Sequence, residues 1–140
     1  MADTLASLGL THLANRGIAD LSVGQAQMVA VAQTIVRAPE VILLDEPTSA
    51  LDLHHQLSIL TSVRNELNRK KPVVMAALHD LNLAAKFCDR LVLLRDGVIL
   101  ADGQPDEILA LSDIGETYRV ETALERTTRG ALYVDARLPA

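Results

Sequence analysis

Apolar residues between Gln25 and Pro39 recur at three- and four-residue spacing, with Met28, Val31 and Ile35 on one row and Val29, Ala32 and Val36 on the next. That period is helical, and Pro39 closes it, so the segment predicts a largely buried helix. Val41 to Leu44 is an unbroken aliphatic run and predicts a short strand. A long helix is expected over about Leu53 to Arg69, with the basic triplet Arg69 to Lys71 at the end where a helix favours cations. A second strand follows in "PVVMAAL", a helix in "DLNLAAKF", and a third strand in "RLVLLRD". The last meets Gly97 in an Asp-Gly hairpin turn and returns as "VILADG". "PDEILA" starts a helix with Pro105 near its first turn. Upstream, "ADTLASLGL" has helical spacing up to Gly9, and "THLANRGIAD" is polar and turn-rich up to Leu21. The tail from Tyr118 to Ala140 alternates weakly around "TRG" and reads as a small terminal hairpin. Strand and helix alternate, which is the pattern of an α/β layered fold. The aliphatic strands lack in/out alternation, so they are expected to be parallel strands covered on both faces, with any ligand beyond their carboxyl ends.

Composition narrows this picture. A chain of 140 residues suffices for one compact domain. Hydrophobic residues make up 49% of it, yet only Phe87, Tyr118 and Tyr133 are aromatic, so the core must be built from Leu, Val, Ile and Ala. The apolar runs fall far short of the ~20 residues that cross a bilayer, and the first residues lack a signal-peptide pattern, so a cytoplasmic protein is expected. The single Cys88 allows no internal disulfide, and its apolar neighbours read as a packed thiol. A formal charge of −5, with no basic block beyond Arg69 to Lys71, argues against a nucleic-acid surface.

Candidate chemistry collects at the strand ends. Asp45 and Glu46 follow the first strand at a turn fixed by Pro47, and His79 follows the second. Alone, a "DE" pair is commonly a solvated turn, and a lone histidine before a helix is usually structural. Together they read as a phosphoryl-transfer set: one carboxylate to hold Mg²⁺ through water, its neighbour to orient or deprotonate an attacking water, and an imidazole to donate to a terminal phosphate. In "LSVGQ", Ser22 can cap the helix and Gly24 leaves its amide approachable, as in an anion site; an ordinary N-cap has the same sequence. His54 and His55 are adjacent, diverge on a helix and make poor joint metal ligands; surface or partner-contact positions suit them better.

"LSVGQ", "VAVAQTIVRAPEVILLDEPTSALD" and "ALHDLNLAAKFCDRLVLLRDGVILADG" resemble, in that order and spacing, the carboxyl half of an ATP-binding-cassette transporter ATPase. The resemblance covers nearly the whole chain. It implies a partial P-loop NTPase fold of α/β class, with a mostly parallel sheet and flanking helices, lacking the Walker A strand and the N-terminal β-subdomain. It also implies one truncated domain: the end of a helical subdomain and the signature helix over 1–37, Walker B to the switch region over 38–103, and C-terminal helices with a small hairpin over 104–140. By it, Ser22, Val23, Gly24 and Gln25 belong to the signature motif that contacts ATP. Asp45 becomes the Mg²⁺ residue, Glu46 the catalytic carboxylate, His79 the switch histidine and Asp52 the D-loop residue at the interface, where it can equally cap the next helix. "SALDLHHQL" and "HDLNLAAKFCDRLVLL" are most similar to importers of iron-siderophore, haem or cobalamin.

The departures from the pattern carry their own expectations. No glycine among the seven is followed by lysine, so the phosphate-binding loop is absent, and the chain resembles a cassette that begins inside its helical subdomain, with Met1 not the family's natural start. Val23 stands where glycine is usual and Ala26 where a basic residue is customary. Family architecture has two cassettes meeting head to tail, each nucleotide lying between one subunit's Walker A and the other's signature motif, with transmembrane permease subunits beside them on the cytoplasmic face of the inner membrane. Two functions follow from the resemblance: an ATP-hydrolysing importer module, or a non-catalytic remnant that supplies only a signature motif in trans. The second is expected of the isolated chain. A cassette of DNA-repair or translation type fits less well with the acidic balance. In cassettes the Walker A strand lies between the strand leading to the switch histidine and the one resembling "RLVLLRD", so the sheet should lose its middle.

Overall fold

Capping residues set the frame of the computed structural model, which describes residues 5, 6 and 8–139; positions 2–4 and 7 of the helix expected in "ADTLASLGL" lie outside them. The chain divides into two compact units, Met1–Leu78 and His79–Ala140.

In the first unit, short 3-10 turns at Thr11–Leu13 and Ile18–Asp20 lead into helix α1 (Val23–Val36), strand β1 (Val41–Asp45), helix α2 (Leu53–Lys70) and strand β2 (Val73–Ala77). β1 and β2 pair in parallel, from Val41 opposite Val73 to Asp45 opposite Ala77. α2 ends at Lys71, whose φ of 54° is left-handed and whose N–H donates to the Leu67 carbonyl, so the basic triplet does close the helix. The core holds Met28, Val31 and Ile35 of α1, Ile42 and Leu44 of β1, and Ile59 and Val63 of α2. It also takes in Leu10, the last residue of "ADTLASLGL", and Leu13 from the stretch that reads as polar and turn-rich, because the 3-10 turn brings these two apolar residues into the same cluster as α1.

The strands depart from expectation. Burial in β1 alternates, with Ile42 and Leu44 inside, while Val41 (55%), Leu43 (71%), Val73 (64%) and Met75 (66%) are exposed. By the register these four share one face of the parallel ladder. The aliphatic runs were expected to be covered on both sides; among the described residues the side chains packed on this ladder lie on one side only.

The second unit contains α3 (Leu81–Phe87), β3 (Leu91–Arg95), β4 (Val98–Gly103), α4 (Pro105–Leu109), α5 (Ser112–Tyr118), β5 (Glu121–Arg126) and β6 (Leu132–Arg137). Asp96 and Gly97 form the expected two-residue turn, with φ of 52° and 78°, the pair of positive values that a tight hairpin needs. β5 and β6 form the terminal hairpin. The side chain of Asn82 in α3 joins it: its Oδ1 accepts from the Val134 N–H at 2.7 Å and its Nδ2 donates to the Val134 carbonyl at 3.3 Å. Leu93, Ile108, Leu109, Ile114 and Val134 make this unit's core. Cys88 is a half-buried thiol at the end of α3 and is in no disulfide.

The α/β class holds, whereas the mostly parallel sheet is corrected: among the described residues there are three two-stranded ladders, one parallel and two antiparallel. The reason is connection length. α2 provides the long crossover that parallel strands need, while β3–β4 and β5–β6 are joined by turns that permit only antiparallel pairing. No helix among the described residues is long and apolar enough to cross a membrane.

Candidate functional site

The start of α1 is built by Ser22 and Gln25. The Ser22 hydroxyl accepts from the Gln25 N–H at 3.2 Å, and the Gln25 side-chain oxygen accepts from the Ser22 N–H at 3.1 Å, a reciprocal capping box. Both polar side chains therefore already serve the helix end. Gly24 lies against the loop before α2: a β-carbon there would stand 2.9 Å from Leu51 Cδ2 and 3.3 Å from the Ala50 carbonyl oxygen. Any larger residue would push the Leu51 side chain and the Ala50 carbonyl away, so glycine suits this close approach of the "LSVGQ" and "SALD" segments. Between them opens a cavity of about 410 Å³, lined by Ser22, Val23, Gly24 and Gln25 on one side and by Asp52 on the other. His12 and His55 also border it. Val23 is 74% exposed beside this opening.

Asp52 caps α2, accepting from the His55 N–H at 2.9 Å and meeting the His55 ring Nδ1 at 2.8 Å. The backbone hydrogen bond from His55, and then the ring contact, hold the Asp52 carboxyl below its ordinary pKa of 3.8. Because the folded value is the lower one, the cap's contribution is fully present above the unfolded pKa and is lost as pH falls through the folded value. Fraying of the first turn of α2, followed by exchange of the His55 amide, should therefore begin only below about pH 4, and Asp52→Ala should remove the pH dependence. Fraying that begins near neutrality in the parent chain would contradict this cap. His54 and His55 do not diverge as expected: the rings meet edge to face with centroids 5.4 Å apart, because the His55 ring is drawn back to Asp52. Among the described residues no group of three or more His, Cys, Asp or Glu is arranged to hold a metal.

Asp45 ends β1 and Glu46 follows it, at the carboxyl end of the strand. Glu46 has φ of 43°, a left-handed conformation uncommon for a residue with a β-carbon. Its carbonyl oxygen accepts from Gln27 Nε2 at 2.7 Å, Ser49 Oγ at 3.1 Å and the Ser49 N–H at 3.2 Å. Further along, the Thr48 carbonyl accepts from Gln56 Nε2 at 3.1 Å. His79 belongs to the second unit, beside Asp80, whose carboxylate caps α3 by accepting from the Asn82 and Leu83 amides at 2.8 and 2.9 Å. The structure thus brings Ser22, Val23, Gly24, Gln25 and Asp52 together around one cavity, and sets Asp45 and Glu46 at the strand end of the same unit. Sequence reasoning missed Gln27, His12 and the cavity role of His55. Gln27 carries a signal only in hindsight, as the polar side chain set two residues after the capping glutamine.

Comparisons with known proteins bear on this arrangement. The family model described as "ABC transporter" matches residues 1–49. The hemin import ATP-binding protein HmuV of Rhodopseudomonas palustris (strain BisA53) is 39% identical over 138 residues, covering 93% of this chain and 51% of that protein. The chain is a member of the ATP-binding-cassette family. The ferric enterobactin transport ATP-binding protein FepC of Escherichia coli (strain K12) is 42% identical to the cassette chain over 111 residues, covering 79% of it and 41% of FepC. The structure of an ABC transporter in an inward-facing conformation superposes with a TM-score of 0.77 at 28% identity, covering 96% of this chain and 55% of that one. A dimeric post-hydrolysis ATP-binding cassette bound to ADP and Pi gives a TM-score of 0.65 at 32% identity, covering 74% of the cassette chain and 44% of that one. The cassette chain spans about half the length of the curated relatives it matches. Use of nucleotide and Mg²⁺ is general to the family, and its ATPases work as dimers, in importers together with membrane permease components.

Proposed function

We propose that this chain is part of the ATP-hydrolysing subunit of an importer for an iron-siderophore, haem or cobalamin, and that its 140 residues act by presenting the start of α1 to a nucleotide held by a partner cassette. The observation that carries this reading is the cavity between Ser22–Gln25 and Asp52, at the place where Gly24 packs against the loop before α2. The helix amides there suit an anion, and the capping box holds them in place. The importer class rests on relatives named for import of hemin, cobalamin and ferric enterobactin.

The 140 residues form part of one cassette domain in this reading, lying on the cytoplasmic face of the inner membrane with permease subunits and without nucleic acid. A nucleotide held by this chain alone fits poorly, since no Gly-Lys pair is present to cradle its phosphates. With such a loop supplied from elsewhere, Asp45 would hold Mg²⁺ through water and Glu46 would take the proton of the attacking water. Alone, the chain offers the signature motif in trans, and no ATP turnover of its own is expected.

The test mixes the chain with an intact haem-importer cassette whose catalytic glutamate is replaced by glutamine, in ATP and Mg²⁺, and measures association by sedimentation. Wild type should associate and Ser22→Arg should not; Val23→Gly should tighten association several-fold if the exposed valine crowds the phosphate. Equal association of Ser22→Arg and wild type would refute the trans role.

A further inference from the structure

From the geometry around Glu46 we infer that Gln27 is a positioning residue: it holds the Glu46 peptide in its left-handed conformation and ties that turn to the helix whose start borders the cavity. Of the three donors to the Glu46 carbonyl described above, the two from Ser49 are local, three residues on. Gln27 Nε2 is the long-range one, 19 residues away in sequence, and at 2.7 Å the shortest. Its side chain is part-buried, so the hydrogen bond is shielded from water that would otherwise compete for the same carbonyl.

The position of Gln27 along α1 gives the bond its meaning. Gln27 lies five residues beyond the Ser22 cap, about 7.5 Å along the axis of a helix that is continuous from Val23 to Val36. A ligand drawing on the start of α1 pulls a rod, and the rod's next polar side chain is bonded to the residue that carries the base carboxylate. The occupied cavity and the Glu46 turn thereby become one mechanical unit. The role of Glu46 as base, and of the cavity as a nucleotide contact, rests on the function proposed above; the hold of Gln27 on the turn does not.

The experiment uses the full 140-residue chain, labelled for NMR, and reads two local signals: the φ-sensitive N–H to Hα coupling of Glu46 and the hydrogen exchange of the Ser49 amide. Gln27→Leu should move the Glu46 coupling toward the ordinary right-handed value and speed Ser49 exchange about tenfold, the loss of one hydrogen bond. Should Gln27→Leu fail to fold, the isosteric Gln27→Glu decides: ionised it cannot donate, while the neutral acid at low pH can, so the Glu46 coupling should titrate in this variant and return toward the parent value on acidification. Unchanged coupling and exchange in these variants overturn the inference.

A second arm adds the hydrolysis-deficient partner cassette with ATP. Ser22 and Gly24 resonances should respond in parent and Gln27→Leu alike, and Glu46 only in the parent. Ser22 and Gly24 responding, with Glu46 responding equally in both proteins, would break the link while leaving the proposed function standing. Silence of Ser22 and Gly24 would instead defeat the proposed function, and the first arm would still decide the positioning role.

Discussion

Ile59→Ala should cost the Met1–Leu78 unit about 3–4 kcal/mol, a large fraction of the stability a unit this size ordinarily has. Ile59 is 0% exposed, in the middle of α2, and packs in the cluster that includes Met28 and Ile35 of α1 and Ile42 of β1. Truncation removes three carbons and leaves a cavity that neither helix can close without moving away from β1. The site suffers with the core, since α2 begins at Asp52 and α1 carries the capping box. Hydrogen exchange read residue by residue is the right measurement: protection should fall by two orders of magnitude or more at Ile42 and Val63, with Leu109 of the second unit as the internal reference. Ile18→Ala, at a side chain 72% exposed, should change protection by less than about 0.5 kcal/mol. Similar losses in the two variants would mean that the core is misplaced.

The second large effect lies on the bare side of the β1–β2 ladder. Val41, Leu43, Val73 and Met75 form a continuous apolar surface on a two-stranded ladder, and burying each would contribute about 1.5–3 kcal/mol. With these four side chains buried from each of two copies, the gross gain of about 12–24 kcal/mol exceeds the roughly 4–15 kcal/mol cost of association, so the isolated chain should self-associate at micromolar concentration rather than remain a stable monomer. Leu43→Thr with Met75→Thr keeps strand propensity while removing the two central contacts, and should weaken self-association at least a hundredfold. Sedimentation velocity across a concentration series reads both proteins. A parent chain that stays monomeric, with a sharp cooperative melt, would show that this surface is innocuous.

Local signals made much of the fold legible. α1 follows from apolar spacing plus the Ser22 cap and Pro39, and the β3–β4 hairpin from Asp96-Gly97, since each depends on residues within one turn of each other. What escaped the sequence depends on partners far along the chain. Leu13 looks like a stray in a polar stretch until α1 gives it a surface to pack on. An unbroken run such as Val41 to Leu44 states that the strand tolerates burial on both sides, and cannot state that one side will be covered. For the candidate site, the residue types in "LSVGQ", "DEPTSALD" and "ALHD" were visible from their order and spacing. The contact of Gln27 with the Glu46 carbonyl was not, because a side-chain amide bonded to a backbone oxygen 19 residues away leaves no periodic trace.

The Asn82 amide on Val134 has a consequence for the second unit as a whole. Val134 faces Leu124 in the hairpin, and its N–H and C=O are both taken by one side chain of α3. Asn82 thus imitates a neighbouring strand one residue long. It occupies the outer edge of β6 at a position where another extended chain would begin to pair, so the hairpin is closed to strand addition there by a single amide. The two ladders protect themselves unequally: β1–β2 leaves an apolar surface open to capture, while β5–β6 has its rim plugged from within.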